Sequence, residues 1–370
     1  MTKQSTPKII ISGGGTGGHV YPAISIADAI KKIQPEAELL FVGAKGKIEM
    51  EKVPKAGYPI KGLWISGFHR KLTLRNLLFP IKLAFSLVRA WSILRKFQPD
   101  LVIGVGGFAS GPVLEVATRM AKPTLIQEQN SYPGITNKLL AKKVNKICVA
   151  YDGLERFFPN EKIIQTGNPV RTAFFGKAVD KNEAYRHFGL NPNLKTIFVF
   201  GGSLGASSIN QAMAANAGKI EGNTAIQILW QVGKLYEERY QDSAAAKAMN
   251  VRMLPFVDRM DLAFAIADLT ICRAGAGTIS ELCLIGQAAM LIPSPNVAED
   301  HQTKNAQALV DKSAAHLLED SEAKEKIMDE AFALLADEEQ LKHLAINIKT
   351  LAKPNAAKVI ATEALELIKN

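Results

Sequence analysis

The chain has 370 residues, of which 47% are hydrophobic, and its 45 Lys and Arg outnumber its 35 Asp and Glu to give a formal charge of +10. This length exceeds the range over which one hydrophobic core usually grows, which excludes a single small domain and predicts two. The positive charge favours anionic partners such as phosphates, acidic lipid headgroups or nucleic acid, without choosing among them.

The first residues and the cysteines indicate a compartment. Residues 1–8 are polar and the apolar run after them is only Ile9–Ile11, so the pattern of a secretory signal is not met. Cys148, Cys272 and Cys283 lie far apart in apolar stretches, with neither metal-ligand spacing nor an even disulfide count. We expect buried thiols in a protein that stays in the reducing cytoplasm.

Short apolar runs that alternate with stretches of helical periodicity predict β-strands in both halves of the chain. The runs in the first half are Ile9–Ser12, Leu39–Gly43, Leu101–Val105, Thr124–Gln127 and Lys146–Ala150. Those in the second half are Thr196–Phe200, Ile226–Trp230, Val251–Pro255, Leu269–Arg273 and Ala289–Pro293. Nearly continuous apolar strands are typical of parallel sheets covered on both faces. The pattern predicts an α/β protein with two doubly wound domains.

The boundary between these domains is expected in the polar stretch after the last strand of the first half. We assign residues 1–167 to an N-terminal domain, 168–194 to a linker and 195–350 to a C-terminal domain. Residues 351–370 have helical composition after Pro354, and either domain could receive them.

Each predicted domain begins with a strand that runs into a glycine-rich segment. The first is GGGTGGH at Gly13–His19, and the second is GGSLGA at Gly201–Ala206. Glycines at such a turn let backbone N–H groups approach an anion, and the helix dipole favours negative charge there. A tight connection without a ligand would look the same. The first segment lacks the Gly-Lys-Ser/Thr of a Walker loop and departs from GxGxxG at His19, which disfavours nucleotide hydrolysis and hydride transfer.

Three further features suit a sugar nucleotide. His19 stands near the carboxyl edge of the first sheet, where α/β proteins bind ligands, although a structural histidine is the alternative. RAGAGTISE at Arg273–Glu281 joins a strand to a helix, and its Glu281 could accept hydrogen bonds from two ribose hydroxyls or simply favour the helix dipole. Glu299–Gln302 supplies hydrogen-bonding groups for sugar hydroxyls, as an ordinary acidic helix start also would.

Together the motifs resemble the MurG family of bacterial glycosyltransferases. The segments that carry the resemblance are Gly13–Ala23, Gly104–Pro112, Gln127–Lys138, Gly167–Arg171, Gly201–Ala206, Arg273–Glu281 and Glu299–Ala306. The resemblance covers roughly residues 8–310, and the joint set is far more specific than any single motif. It implies a GT-B fold of two Rossmann-like domains facing a cleft, with the acceptor held mainly by the N-terminal domain and the donor mainly by the C-terminal one.

The family's activity is transfer of N-acetylglucosamine from UDP-N-acetylglucosamine to undecaprenyl-diphosphoryl-N-acetylmuramoyl-pentapeptide, at the cytoplasmic face of the inner membrane. Carried over residue by residue, Phe256 and Val257 line the uracil site, Glu281 binds ribose, and Ser203 with Arg171 meets the donor diphosphate. His301 and Gln302 face the transferred sugar. The remaining implied donor contacts are Thr16, Gly18, Asn130, Ala276, Gly277 and Thr278.

The resemblance also implies an acceptor site in the N-terminal half. The Gly13–Gly18 loop cradles the acceptor diphosphate, and its implied contacts are Gly14, Gly15, Thr16, Gly17, Gly18, Gly106 and Gly107. His19, Glu128 and Asn130 border the attacking hydroxyl. The chain departs from the family at Leu204, where Gln is common, and at Ser207, where Arg is common, so no side-chain phosphate contact is carried over to these two positions.

The implied chemistry is a single inverting displacement in which the muramoyl C4 hydroxyl attacks the anomeric carbon and UDP leaves. His19 is the favoured general base because its unperturbed pKa lies near working pH, whereas Asn130 can only orient the hydroxyl. The chain lacks the Asp-x-Asp motif with which many glycosyltransferases hold a metal. Helix N-terminal amides and Arg171 would stabilise the leaving diphosphate instead, so we expect neither cofactor nor metal and activity in a chelator.

Residues 69–97 interleave apolar and basic side chains, while their charges and Pro80 exclude an ordinary spanning helix. Such a segment could rest on an anionic membrane, or it could pack on its own sheet with a solvated basic face. The alternatives for the whole chain are a related enzyme or UDP-sugar epimerase with a soluble substrate, and a non-catalytic UDP-sugar-binding protein. A nucleic-acid binder ranks last because no recognised binding motif accompanies the charge.

Overall fold

The computed structural model describes residues 6–67, 78–170 and 179–369. These residues form two compact units. The first unit contains the described residues up to Val170 together with those from Lys353 onward, and the second contains the described residues between them.

Apolar runs buried on both faces build the first unit around a parallel sheet. Its strands are β1 (Lys8–Ser12), β2 (Glu38–Ala44), β3 (Ile60–Leu63), β4 (Leu101–Gly104), β5 (Thr124–Glu128), β6 (Lys146–Val149) and β7 (Ile163–Gln165). Among the described residues their order is β3-β2-β1-β4-β5-β6-β7, and neighbouring strands are parallel.

The second unit repeats this scheme. Its strands are β8 (Lys195–Phe200), β9 (Ile226–Gln231), β10 (Val251–Leu254), β11 (Leu269–Cys272), β12 (Ala289–Leu291) and β13 (His316–Leu317). In the described part of this unit the order is β10-β9-β8-β11-β12-β13, again with parallel neighbours.

Helices follow the strands and cover the sheets. In chain order, those of the described residues up to Val170 are α1 (Gly17–Ile33), α2 (Glu49–Lys55), α3 (Phe79–Phe97), α4 (Ser110–Arg119) and α5 (Ile135–Leu140). Those that follow are α6 (Lys181–Phe188), α7 (Ser207–Ala215), α8 (Ala217–Gly222), α9 (Glu237–Tyr240), α10 (Ala244–Lys247), α11 (Met260–Ile266), α12 (Ala276–Ile285), α13 (His301–Val310), α14 (Ala323–Ala336), α15 (Glu338–Thr350) and α16 (Ala356–Lys369). Short 3-10 segments lie at Leu154–Arg156 and Asn160–Lys162, and Ala298–Asp300 forms a turn before α13.

Alternate residues of β1 point to opposite faces of the first sheet, which accounts for its two cores. Ile9 and Ile11 pack with α1 on one face, whereas Ile10 packs with α3 and α4 on the other. In the described part of the second unit, a large core surrounds the fully buried Trp230, and α7 and α14 pack into it.

The order of the strands determines where ligands can bind. β1 lies between β2 and β4, and β8 lies between β9 and β11. The chain therefore adds strands first on one side of β1 or β8 and later on the other side, which makes each of these two strands a switch point. Open α/β sheets bind ligands at the carboxyl ends of strands at such a switch point. Gly13 follows β1 and Gly201 follows β8, so both glycine-rich segments lie there.

The C-terminal helix α16 packs against α1 in the first unit. Its Ile360, Ala361 and Ala364 are fully buried in the core that also contains Ile9 and Ile11. This contact assigns α16 to the first unit, whereas the sequence alone left its domain open.

The predicted fold class is confirmed, and all ten predicted strands occur within two residues of their expected ends. The structure adds β3, β7 and β13, and it forms α6 inside the stretch 168–194 that we expected to link the domains. The three cysteines are buried and unpaired, as predicted. No helix in the described ranges is both long and apolar enough to span a membrane.

Candidate active site

The first glycine-rich loop connects β1 directly to the N-terminus of α1. Gly15 has a φ of 91°, which favours glycine. Gly107 also has positive φ, and a side chain there would collide with the Gly14 carbonyl oxygen. The loops after β1 and β4 therefore meet backbone to backbone. The first turn of α1 contains no acidic residue, so the helix dipole at this end favours an anion.

A buried carboxylate supports this loop. Glu49, only 1% exposed at the start of α2, accepts hydrogen bonds from the N–H groups of Gly15 and Ala44, both at 2.9 Å. A side chain at Gly14 or Gly43 would collide with Glu49. The glycines at these positions thus make room for the carboxylate. Sequence reasoning missed Glu49 because its partners are backbone groups of distant strand ends.

His19 lies in the first turn of α1, half-buried beside the Gly106 backbone. Its Nδ1 is 3.2 Å from the hydroxyl of Thr16, the exposed residue that precedes the helix. A histidine held through Nδ1 can present Nε2 to a second group. The structure therefore brings His19 together with the predicted loop residues Gly14–Gly18 and with Gly106 and Gly107.

Glu128 is the last residue of β5, and Asn130 lies two residues after it. The Glu128 carboxylate, 2% exposed, accepts hydrogen bonds from the backbone N–H and side-chain amide of Asn130, from the Gly134 N–H and from the Asn137 amide at 2.8 to 3.1 Å. Burial raises the pKa of Glu128, and these hydrogen bonds oppose the rise. The carboxylate shapes the loop that presents Asn130.

The second glycine-rich loop has the same position in its own unit. Gly201–Ala206 connects β8 to α7, and Gly205 packs against Gly233 in the turn after β9. Ser203 and Leu204 are exposed on this loop. The first turn of α7 carries no acidic residue, so this helix N-terminus also suits a phosphate.

Phe256 and Val257 follow β10 at the same edge of the sheet. The Lys234 ammonium lies 5.6 Å from the centre of the half-buried Phe256 ring. Gln231, at the end of β9, donates to the Gly202 carbonyl at 3.0 Å and accepts from the Val257 N–H at 2.9 Å. This link between the two predicted donor segments was not predicted.

Arg273 holds the helix of the second loop in place rather than facing a ligand. Its guanidinium donates to the Ser208 hydroxyl at 2.6 Å, to the carbonyls of Ile292 and Pro293, and to the carboxylate of Asp320. The group is only 13% exposed. Its hydrogen bonds tie the start of α7 to the ends of β11 and β12.

The other predicted donor residues begin two helices. Ala276, Gly277 and Thr278 form the first turn of α12, with the half-buried Glu281 on the next turn. Gln302 in α13 accepts from the Ser294 N–H at 2.8 Å, next to His301, the first residue of that helix.

Glu299 and Asp300 before α13 have φ of 56° and 50°, an uncommon conformation for residues other than glycine. Lys304 donates to the Glu299 carbonyl and Thr303 to the Asp300 carboxylate, which holds this turn. Strained backbone of this kind is often found at binding sites.

The predicted residues that the structure describes are divided between the two units. Thr16, Gly18 and Asn130, expected to contact the donor, lie in the first unit with the acceptor residues, and the other described donor residues lie in the second. Arg171 lies outside the described residues. Within the described ranges, no group of three or more His, Cys, Asp or Glu side chains is arranged to hold a metal ion.

Comparison with known proteins agrees with this architecture. The model of the glycosyltransferase family 28 N-terminal domain matches residues 9–149, and that of the C-terminal domain matches residues 196–360. A solved structure, MurG of Acinetobacter baumannii, is 26% identical with a TM-score of 0.77, and the match covers 97% of this chain and 99% of that one.

Relatives of this chain carry the name UDP-N-acetylglucosamine--N-acetylmuramyl-(pentapeptide) pyrophosphoryl-undecaprenol N-acetylglucosamine transferase, among them the following two. The protein of Flavobacterium psychrophilum is 53% identical over 98% of each chain. That of Bacteroides fragilis (strain ATCC 25285) is 52% identical over 97% of this chain and 95% of its own. The chain belongs to glycosyltransferase family 28 and, within it, to the MurG family of N-acetylglucosamine transferases.

Proposed function

We propose that this protein transfers N-acetylglucosamine from UDP-N-acetylglucosamine to the C4 hydroxyl of undecaprenyl-diphosphoryl-N-acetylmuramoyl-pentapeptide, which forms the lipid-linked disaccharide precursor of peptidoglycan. The observation that carries the proposal is a glycine-rich loop at the switch point of each sheet, in a chain 53% identical to a transferase of that name. Two such loops suit a reaction in which donor and acceptor both contain a diphosphate.

In the first unit, the loop of Gly13–Gly18 would bind the acceptor diphosphate. Backbone N–H groups at the start of α1 would be the donors, and the helix dipole adds to their attraction for the anion. Glu49 keeps the Gly15 N–H engaged, so this amide serves the shape of the loop rather than the ligand.

His19 would remove the proton from the attacking hydroxyl. Nε2 can accept that proton in the tautomer whose Nδ1–H donates to the Thr16 hydroxyl, and this contact orients the ring. Asn130, held by Glu128, would orient the acceptor hydroxyl through its amide. Glu128 acts on the reaction through Asn130, as a positioning residue.

In the second unit, Ser203 and the N-terminus of α7 would bind the diphosphate of the donor, and Glu281 would bind its ribose. As the bond to the anomeric carbon breaks, negative charge develops on the leaving UDP. Amide groups aimed at this charge stabilise the transition state because they are already oriented before the reaction. Arg273 contributes by fixing α7 through Ser208.

The helix α3 would bring the enzyme to the cytoplasmic surface of the membrane that carries the acceptor, as a peripheral protein. One side of α3 packs on the first unit through Ser86, Ala90, Ile93 and Leu94. Its other side exposes an apolar face, which consists of Ile81, Phe85, Val88 and Trp91 together with Leu78 just before the helix. Such a face, with Lys82 and Arg89 beside it, suits an interface rich in anionic lipids. Residues 69–77 of the predicted segment lie outside the described residues.

Transfer of labelled sugar from UDP-N-acetylglucosamine to a short-chain analogue of the lipid acceptor tests the reaction. We expect transfer by the wild type, its collapse in His19→Ala with UDP binding retained, and no change in His343→Ala, which alters an exposed histidine on α15. UDP binding without transfer would contradict the proposal and favour a non-catalytic UDP-sugar-binding protein. UDP release that ignores the lipid acceptor would instead indicate an enzyme with a soluble substrate.

A further inference from the structure

Strand β9 carries two buried glutamines four residues apart, which places both side chains on the same face of the sheet. Gln227 and Gln231 are each 3% exposed. Gln227, near the amino end, bonds to the backbone of Asn191 and to the Thr196 hydroxyl, far from the ligand-binding edge. Gln231 is at the carboxyl end, where the loops of the second unit meet.

The Gln231 carboxamide joins two of these loops through its two ends. Its Nε2 donates to the Gly202 carbonyl at 3.0 Å, and its Oε1 accepts from the buried Val257 N–H at 2.9 Å. A carboxamide offers a donor and an acceptor at once, whereas a carboxylate offers acceptors alone and an apolar side chain offers neither. Position 231 therefore requires glutamine, or another side chain of the same length that offers both a hydrogen-bond donor and an acceptor.

The surroundings of Gln231 make this link rigid. The Trp230 indole donates to the Asn210 side chain at 3.1 Å, and the Asn210 amide donates to the Val232 carbonyl at 2.8 Å. Because Asn210 lies in α7, the helix that follows the Gly201–Ala206 loop is bound to the same strand end. A shift of the Phe256–Val257 segment must break a buried hydrogen bond, and a shift of the Gly202 loop must break a partly buried one, which is costly.

We infer that Gln231 is a positioning residue that holds the Gly202 loop and the Phe256–Val257 segment at the separation a nucleoside diphosphate spans. The inference rests on the proposed function, which places the diphosphate on the first of these segments and the uracil on the second. A ligand that touches both gains affinity when their separation is set before binding, because no ordering is needed on association. A ligand that touches one segment gains much less.

The test compares two ligands rather than one. UDP spans both segments, and uridine reaches only the nucleoside side. In Gln231→Met both hydrogen bonds are lost at similar volume, so we expect UDP affinity to fall roughly tenfold or more while uridine affinity falls by about threefold or less. The ratio of the two dissociation constants, measured by calorimetry or ligand-detected NMR, is the readout.

Gln227→Met is the matched control, with the same substitution on the same face of the same strand. It should lower the unfolding temperature and leave the ratio at its wild-type value. Gln231→Asn is a second variant in case the methionine variant folds poorly. It keeps the carboxamide but is one methylene too short to reach both loops, so it should also shift the ratio.

The outcomes are distinct. A shifted ratio in Gln231→Met or Gln231→Asn, with an unshifted ratio in Gln227→Met, supports the inference. Equal losses for UDP and uridine, no loss, or the same shift in Gln227→Met would overturn it, since each indicates a purely structural role. Failure of the wild type to bind UDP would remove both the inference and the proposed function, whereas UDP binding with an unchanged ratio removes the inference alone.

Discussion

The carboxylate of Glu49 accepts a hydrogen bond of 2.9 Å from the backbone N–H of Gly15 and so holds the first glycine-rich loop in place. Gln at position 49 would keep one acceptor oxygen but turn an NH₂ group toward the second N–H donor. We expect Glu49→Gln to lower stability by roughly 1–3 kcal/mol and to raise KM for the lipid acceptor, with UDP affinity unchanged. Acceptor titrations and thermal unfolding measure both effects.

Glu51→Gln is the control for this prediction, because Glu51 lies on the same helix but is exposed and bound to Lys52 and Lys55. It should change neither quantity appreciably. An unchanged acceptor KM in a folded Glu49→Gln enzyme would show that the loop keeps its shape without this carboxylate.

The contact between Thr16 and His19 gives a second prediction. Thr16→Val removes the hydroxyl at nearly constant volume, so the histidine ring loses the Nδ1 partner that orients it. We expect kcat to fall roughly tenfold, with wild-type UDP affinity, whereas Thr16→Ser should retain most of the activity. Steady-state transfer assays at saturating acceptor distinguish the two variants. Equal rates for Thr16→Val and the wild type would mean that His19 needs no partner.

Buried Glu128 makes stability depend on pH. Burial raises its pKa above 4.5, so the folded state binds the proton more tightly than the unfolded state. The contribution of Glu128 to the free energy of unfolding is therefore present below pH 4.5 and is lost as pH rises through the raised pKa. The stability of the wild type relative to Glu128→Gln should decline with rising pH in this window. Urea unfolding midpoints at a series of pH values measure the difference.

Glu115 provides a control of opposite sign. The hydrogen bond with Lys143 lowers the pKa of Glu115. The contribution of Glu115 to the free energy of unfolding is therefore present above pH 4.5 and is lost as pH falls through the lowered pKa. Relative to Glu115→Gln, the wild type should lose stability on acidification. If both variants gave slopes of the same sign, the assignment for Glu128 would be wrong.

The apolar face of α3 can be tested separately from the chemistry. Phe85 and Val88 are 61% and 68% exposed, and burial of such side chains in a lipid interface contributes about 1.5–3 kcal/mol each. The double change Phe85→Asp and Val88→Asp should weaken binding to vesicles containing phosphatidylglycerol by roughly tenfold or more. Vesicle sedimentation measures this, and added salt should weaken the wild type as well.

Ile346→Asp is the matched control, since Ile346 is 61% exposed on α15 in the second unit. Unchanged vesicle binding in the α3 variant, or an equal loss in the control, would place the membrane contact elsewhere. Transfer to a water-soluble acceptor analogue should survive in both variants.

The sequence predicted the central strands well because buried parallel strands are continuous apolar runs. It missed β3, β7 and β13, which are edge or near-edge strands of two to four residues with polar members such as Lys61 and His316. Glycine-rich turns were found because their glycines are adjacent in sequence. Glu49 and Gln231 were missed because they bind backbone groups, and the residue types in a sequence do not show which backbone groups a side chain will contact in the folded chain.

The docking of α16 has a consequence for how the molecule is made. The first unit takes a core helix from the segment that follows the second unit, so during synthesis its N-terminal part emerges long before Ile360, Ala361 and Ala364 can cover α1. The second unit, uninterrupted in sequence, can fold while the first still exposes apolar surface. Ribosomal chains that stop before Lys353 should therefore be substrates for chaperones and proteases, and the emergence of α16 becomes the step that closes the first core.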